Sequence, residues 1–146
     1  MERRNFIKKS CYTAIGIPIL ASAIQSCGAI YYASATKDTN RLVVKKSEFW
    51  KVKKDKKIDR AFVMVKTEMM DFPICLYKIG KDSYSAALLH CTHRGCELNV
   101  GGGIYTCPCH GSEFSVTGEL LEGPADRDLT TFNTETDDEN IYILQA

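Results

Sequence analysis

"CTHRGC" at Cys91–Cys96 and "CPCHGS" at Cys107–Ser112 decide how the rest of this chain is read. Each packs two cysteines and a histidine into six residues, so four thiols and two imidazoles stand within residues 91–112. Working outward, the flanks are strand-like. After Asn40 the chain breaks into short runs rich in β-branched and aromatic residues: "RLVV", "RAFVMVK", "ICLYKI", "YSAALL", "GIYTC", "EFSV", "DLTTFNTE" and "NIYIL". Turn formers separate them, "GKDS" at Gly80–Ser83, "GGG" at Gly101–Gly103 and "EGPADRD" from Glu122. No helix-period segment of useful length interrupts the pattern. Many short strands at close spacing predict an all-β, antiparallel sandwich or small barrel. Both Cys/His stretches then fall in loops, where a rigid scaffold commonly carries binding chemistry.

The chain has seven cysteines. Cys11 and Cys27 lie in the apolar N-terminal segment, and Cys75 sits in the apolar run "PICLYKI" as a small buried hydrophobe. Cys91, Cys96, Cys107 and Cys109 remain, with His93 and His110. Three readings compete. Zinc takes Cys and His in tetrahedral sites, but six candidate ligands exceed one ion and Cys91-Thr92-His93 has unusually tight spacing. A disulfide scaffold alone suits an exported chain but leaves both histidines without a role. A mixed-ligand [2Fe–2S] cluster uses two thiolates on one iron and two imidazoles on the other, and leaves a cysteine pair to be joined.

The two stretches together resemble the Rieske iron–sulfur signature, C-x-H-x-G-C and C-P-C-H-G-S. The resemblance extends to Gly123-Pro124-Ala125, similar to the proline-bearing loop that covers the cluster in that family, and spans about Arg41 to the C-terminus. It implies a Rieske fold of stacked antiparallel sheets over residues 40–146, with cluster-binding loops at about 90–126. It implies one [2Fe–2S] cluster per chain, with Cys91, His93, Cys107 and His110 as ligands and a Cys96–Cys109 disulfide tying the loops together. Ser112 would donate to a bridging sulfide. Gly95 and Gly111 would let backbone approach the cluster and point amides toward sulfur, and Pro124 would cover it. Two neutral imidazoles in place of two thiolates raise the formal charge of the diferric cluster from −2 to 0. That places the potential within about −150 to +300 mV. The cysteine pair indicates the high-potential branch of the family.

Three positions depart from the respiratory members. Phe114 stands where they carry a tyrosine that donates to a ligand sulfur, which implies an intermediate potential. Arg94 replaces an apolar residue, and with Glu113 nearby it disfavours a dry quinol contact. Thirteen residues, Arg94 to Thr106, separate His93 from Cys107, a shorter connection than the respiratory proteins use.

The N-terminus reads as an export signal over residues 1–36. Arg3-Arg4-Asn5-Phe6-Ile7-Lys8 resembles a twin-arginine motif, and no charged residue follows from Ser10 to Thr36. Ile24-Gln25-Ser26-Cys27-Gly28 resembles a lipobox, with Gln25 unusual at its place and Cys27 the residue for lipidation. An uncleaved membrane span with Pro18 inside it is the alternative, and cleavage with release is a third. An oxidising compartment suits the disulfide. The chain of 146 residues is 45% hydrophobic and 25% charged, with a net charge of +1 that hides an asymmetry. Residues 1–66 hold fifteen basic and five acidic side chains, a net +10; residues 67–146 hold four and thirteen, a net −9. "KKSEFWKVKKDKK" at Lys45–Lys57 reads as a hairpin with charged outward faces, docking on anionic lipid or an acidic partner being the alternative. Nucleic acid is excluded as a partner because the half bearing the Cys/His loops is acidic.

The function expected is one-electron transfer on the outer side of the cytoplasmic membrane, membrane-anchored, with a redox protein or membrane complex as partner. No further cofactor motif or nucleophile pair suggests a catalytic site of its own. A Rieske subunit of a quinol–cytochrome c reductase or of an arsenite-oxidase-like complex is the alternative.

Overall fold

The computed structural model describes residues 30–68 and 70–145. The twin-arginine motif and Cys27 lie outside the described residues. No helix among the described residues is long and apolar enough to cross a membrane.

Three four-stranded antiparallel sheets and a separate hairpin make up the fold. The strands are β1 (Ala35–Asp38), β2 (Arg41–Lys45), β3 (Trp50–Lys53), β4 (Lys56–Asp59), β5 (Phe62–Val65), β6 (Ile74–Lys78), β7 (Tyr84–Leu88), β8 (Asn99–Gly101), β9 (Ile104–Thr106), β10 (Glu113–Ser115), β11 (Leu120–Glu122), β12 (Thr131–Phe132), β13 (Thr134–Thr136) and β14 (Asn140–Leu144). The first sheet runs β1-β2-β14-β13, the second β12-β7-β6-β5 and the third β11-β10-β9-β8.

The second sheet is the middle layer, which its sequence dictates. Successive side chains on a strand point to opposite faces. On β5, Val63 and Val65 enter one core while Met64 enters the other. On β6, Ile74 and Leu76 face one way and Cys75 the other; on β7, Ala86 and Ala87 divide likewise. Strands covered on both faces read as continuous apolar runs, hence "FVMV" and "ICLY" without polar alternation. The outer sheets alternate instead. β2 buries Leu42 and Val44, and β14 buries Ile141 and Ile143 directly opposite them. These side chains close the first core. The second core joins the middle sheet to Leu89, Leu98, Tyr105, Phe114 and Leu129, and it takes in Cys91 and Cys107. Cys75 is fully buried there, and burial pushes its thiol up to about 12.

The ordered sheet starts ahead of residue 40, inside the segment read as signal or anchor. β1 occupies residues 35–38, Ala33 lies in the first core, and Tyr32 bridges Met64. Polar "ATKD" on an exposed edge strand offers no hydrophobic period by which to find it. Within the basic stretch, Lys46–Phe49 forms a 3-10 turn and β3–β4 is the expected hairpin. Its two-residue turn, Lys54-Asp55, has both φ angles positive, 49° and 61°, which matches the right-handed strand twist.

Candidate metal centre

Both Cys/His stretches fold into the same six-residue loop. In the first, the N–H of Cys91 donates to the carbonyl of Cys96 (2.9 Å) and that of Gly95 to the carbonyl of Cys91 (2.8 Å). In the second, Cys107 N–H donates to Ser112 (2.8 Å) and Gly111 N–H to Cys107 (3.0 Å). First and sixth residues close each loop, and the fifth is a glycine at φ +80° or +83°. That conformation is left-handed, which explains glycine at both places. Their amides are spent on the cysteine carbonyls rather than aimed at sulfur. The amides that do reach sulfur belong to the third and fourth positions: His93 and Arg94 toward Cys91, Cys109 and His110 toward Cys107.

The two glycines differ in their surroundings. A Cβ on Gly95 would meet His90 Nε2 at 2.9 Å, and the His90 ring is held against Phe72 with centroids 4.6 Å apart. A Cβ on Gly111 would meet nothing within 4 Å. Gly111→Ala should therefore cost only the left-handed backbone, about 1–2 kcal/mol, and Gly95→Ala about 1–3 kcal/mol more for the overpacked contact. Denaturant unfolding of the two variants compares them; equal losses would mean that His90 swings away freely.

Docked together, the loops bring the predicted residues to one place. Cys91 and Cys107 are 1% and 3% exposed, and their thiols hydrogen-bond each other. Burial raises the Cys91 thiol above its ordinary value. Burial opposes the Cys107 thiolate too, but the amides of Cys109 and His110 and the Cys91 thiol outweigh it and bring Cys107 below its ordinary value. The rings of His93 and His110 stand edge to face, centroids 4.9 Å apart. His110 is exposed and His93 half-buried. Cys96 and Cys109 form a disulfide across the loops, Cα–Cα 6.6 Å. Their sulfurs lie within 4.8 Å of Cys107 Sγ, but being bonded to each other they offer no thiolate ligand.

Four donors remain, two sulfur and two nitrogen. Nδ1 of His93 is buried without a hydrogen-bond partner. A buried ring nitrogen left unmatched is costly unless something else takes its lone pair, so the donor set fits a mixed sulfur–nitrogen metal group.

The segment after β11 seats this arrangement. Ser112 is fully buried, and its Oγ accepts from Ala125 N–H at 2.9 Å, leaving its own O–H available to donate. Thr92 Oγ1 donates to the carbonyl of Arg127 at 2.7 Å. Each loop is thus latched to the Gly123–Asp128 segment, where the Gly123–Pro124 bond is cis and Pro124 is exposed. Thr92 and His90 escaped the sequence reading. Neither has a spacing signal, since their partners are a distant carbonyl and a ring brought near by folding. Phe114 is fully buried in the second core, paired across the strands with Tyr105. Arg94 is exposed and Glu113 half-buried.

Comparison with known proteins follows the same lines. A family model described as the Rieske [2Fe-2S] domain matches residues 48–133. The cytochrome b6-f complex iron-sulfur subunit of Synechococcus sp. (strain WH7803) is 39% identical over 57 residues, covering 38% of this chain and 32% of its own. That of Synechococcus sp. (strain CC9605) is 39% identical over 77 residues, 50% of this chain and 43% of its own. The chain therefore spans about a third to two-fifths of the length of these curated relatives. Among solved structures, the cyanobacterial plasma membrane Rieske protein PetC3 from Synechocystis PCC 6803 is 36% identical with a TM-score of 0.51. The match covers 57% of this chain and 85% of that one.

Proposed function

Because this chain belongs to the Rieske [2Fe-2S] domain family, we propose that it carries single electrons through a cluster held by Cys91, His93, Cys107 and His110, on the outer side of the cytoplasmic membrane. The observation that carries the ligand assignment is the pair of matching loops, which set two thiols in contact and two imidazoles edge to face, one with a buried, unmatched Nδ1. When bound, the group supplies a reversible one-electron couple at a potential raised by its two neutral imidazole ligands.

The rest is the work of the chain's own side chains. Amides of residues 93, 94, 109 and 110 donate to the ligand sulfurs and favour their thiolate form. Ser112 is held by Ala125 with its O–H free to add one more donor. Burial of Cys91 and Cys107 in the second core, which Ala125 of the 123–128 segment also enters, keeps water from the sulfur side. On the other side His110 is exposed, so an electron can pass to a docked partner without a substrate pocket. Spectroelectrochemical titration tests this directly: a single reversible one-electron wave is expected, and its absence in iron-loaded protein would refute the reading.

Phe114 sets the expected potential. It is fully buried in the same core as Cys91 and Cys107 and contributes no donor. Phe114→Tyr should raise the midpoint, because a hydroxyl donated to a ligand sulfur stabilises the reduced, more negative state. A redox titration showing no rise would place the ring away from the sulfurs.

A second reading is a subunit of a quinol-oxidising membrane complex, favoured by likeness to the cytochrome b6-f iron-sulfur subunits. The exposed Arg94 beside His93 weighs against an apolar quinol contact. Addition of a quinol analogue separates the two, since only the subunit should show a shifted EPR spectrum. Tethering through Cys27 or a retained apolar segment is part of the leading proposal, and mass spectrometry of the mature N-terminus decides between them.

A further inference from the structure

The β3–β4 hairpin joins the first core only at its root. Phe49 is buried there and Trp50 packs against it, while every residue from Lys51 to Asp59 is exposed. Five lysines, Lys51, Lys53, Lys54, Lys56 and Lys57, stand on the ribbon against Asp55 and Asp59. The register sets Lys51 opposite Ile58, Val52 opposite Lys57 and Lys53 opposite Lys56. Directly opposed residues share a face, so Ile58 lies with Lys51, Lys53 and Lys56 on one face, and Val52 lies with Lys57 on the other, where Lys57 Nζ stands 4.0 Å over the Trp50 ring. Val52 is 71% exposed and Ile58 40%. Blunting a sheet edge needs charge, but it does not need two aliphatic side chains held out in water.

The root of the hairpin is also where the chain enters the domain. Tyr31 donates its hydroxyl to Glu48 at 2.6 Å, and the Arg60 guanidinium lies over its ring at 3.7 Å. Arg60 in turn donates to the carbonyl of Glu48 at 2.9 Å. The sequence ahead of Tyr31 has no charged residue back to Ser10. An uncharged, apolar run therefore joins the domain at the base of its most basic ribbon.

We propose that this hairpin docks on an anionic phospholipid surface through the face of Lys51, Lys53, Lys56 and Ile58, its lysine ammonium groups on headgroup phosphates and Ile58 at the boundary with the acyl chains. The inference rests on the membrane-tethered reading and deepens it. The lysines meet the phosphates within a Debye length, about 8 Å at physiological salt, so the attraction survives there and weakens as salt rises. Residues 67–146, at net −9, are repelled by the same surface. The docked domain is thereby oriented, hairpin inward. The ligand loops root in the second core rather than the first, so docking does not use them. An acidic protein would satisfy the lysines equally, but it would not explain an apolar run arriving at the same root.

Trp50 is the chain's only tryptophan, which makes the test specific. Full-length, cluster-loaded protein is placed in vesicles with brominated acyl chains, made of phosphatidylcholine alone or with phosphatidylglycerol added. Trp50 fluorescence should be quenched severalfold more strongly in the anionic vesicles. High salt, or the combined Lys51→Glu, Lys53→Glu, Lys54→Glu and Lys56→Glu variant, should return it to the neutral level. Ile58→Ser, which keeps every charge, should lower the quenching while preserving its salt dependence, and Val52→Ser on the opposite face should leave it unchanged; an equal loss in both would overturn the assigned face. Equal quenching in both vesicles, or quenching in neither, overturns the proposal; the second result would leave the lysines to an acidic protein. The visible spectrum of the same samples reports separately on the electron-carrier reading, since colour can persist when docking fails and docking when colour is lost.

Discussion

Cys107→Ser should give a folded, colourless protein. The loop around residue 107 is closed by backbone hydrogen bonds to Ser112 and from Gly111, neither of which needs the thiol. The first core, built from β2, β14 and the near faces of β5–β7, does not include it. What disappears is one of two sulfur donors, and the hydroxyl that replaces it is a far poorer ligand for iron near neutral pH. Visible absorbance and the EPR signal of the reduced protein should fall to background. Thermal unfolding should remain cooperative with the midpoint lowered by several degrees, because an occupied site stabilises the fold that binds it. His93→Ala should behave alike. A Cys107→Ser protein that kept its full iron content would remove that residue from the ligand set.

Breaking the Cys96–Cys109 bond should have the next largest effect. The bond closes a loop of sequence separation 13, for which the chain-entropy argument gives about 3 kcal/mol of stabilisation. It also spans the two loops whose relative position defines the site. Cys96→Ser with Cys109→Ser should therefore lose about 3 kcal/mol in denaturant unfolding and bleach faster in air. The double variant leaves Cys91 and Cys107 untouched, so initial loading should still be measurable. Unchanged stability and unchanged bleaching would mean that Ser112–Ala125 and Thr92–Arg127 already hold the loops together.

The chemistry was legible in this sequence, and the layering was less so. Six donors of two kinds, at spacings shared by a whole family, leave little freedom, and the chain places all six in one region with Cys96 joined to Cys109. Strands β2, β5, β6, β7, β10 and β14 stood out because they bury side chains. "NVG" of β8 and "LLE" of β11 did not, since neither buries a side chain fully. "ATKD" of β1 is paired through its backbone and leaves its side chains largely in water. The role of the loop glycines could not be read correctly from composition. Only the hydrogen bonds from Gly95 to Cys91 and from Gly111 to Cys107 show that their amides close the turn while residues three and four serve the sulfur.

The central claim, a pair of irons held by two sulfurs and two ring nitrogens, is tested most directly by one measurement on protein purified from a host that assembles such centres. Iron and acid-labile sulfide are assayed on the sample that then gives the reduced-state EPR spectrum with its nitrogen hyperfine couplings. Two irons and two sulfides per chain, with couplings from two histidine nitrogens, are expected of a mixed-ligand [2Fe–2S] centre. Zinc in place of iron, no labile sulfide, or a spectrum without nitrogen couplings would contradict it.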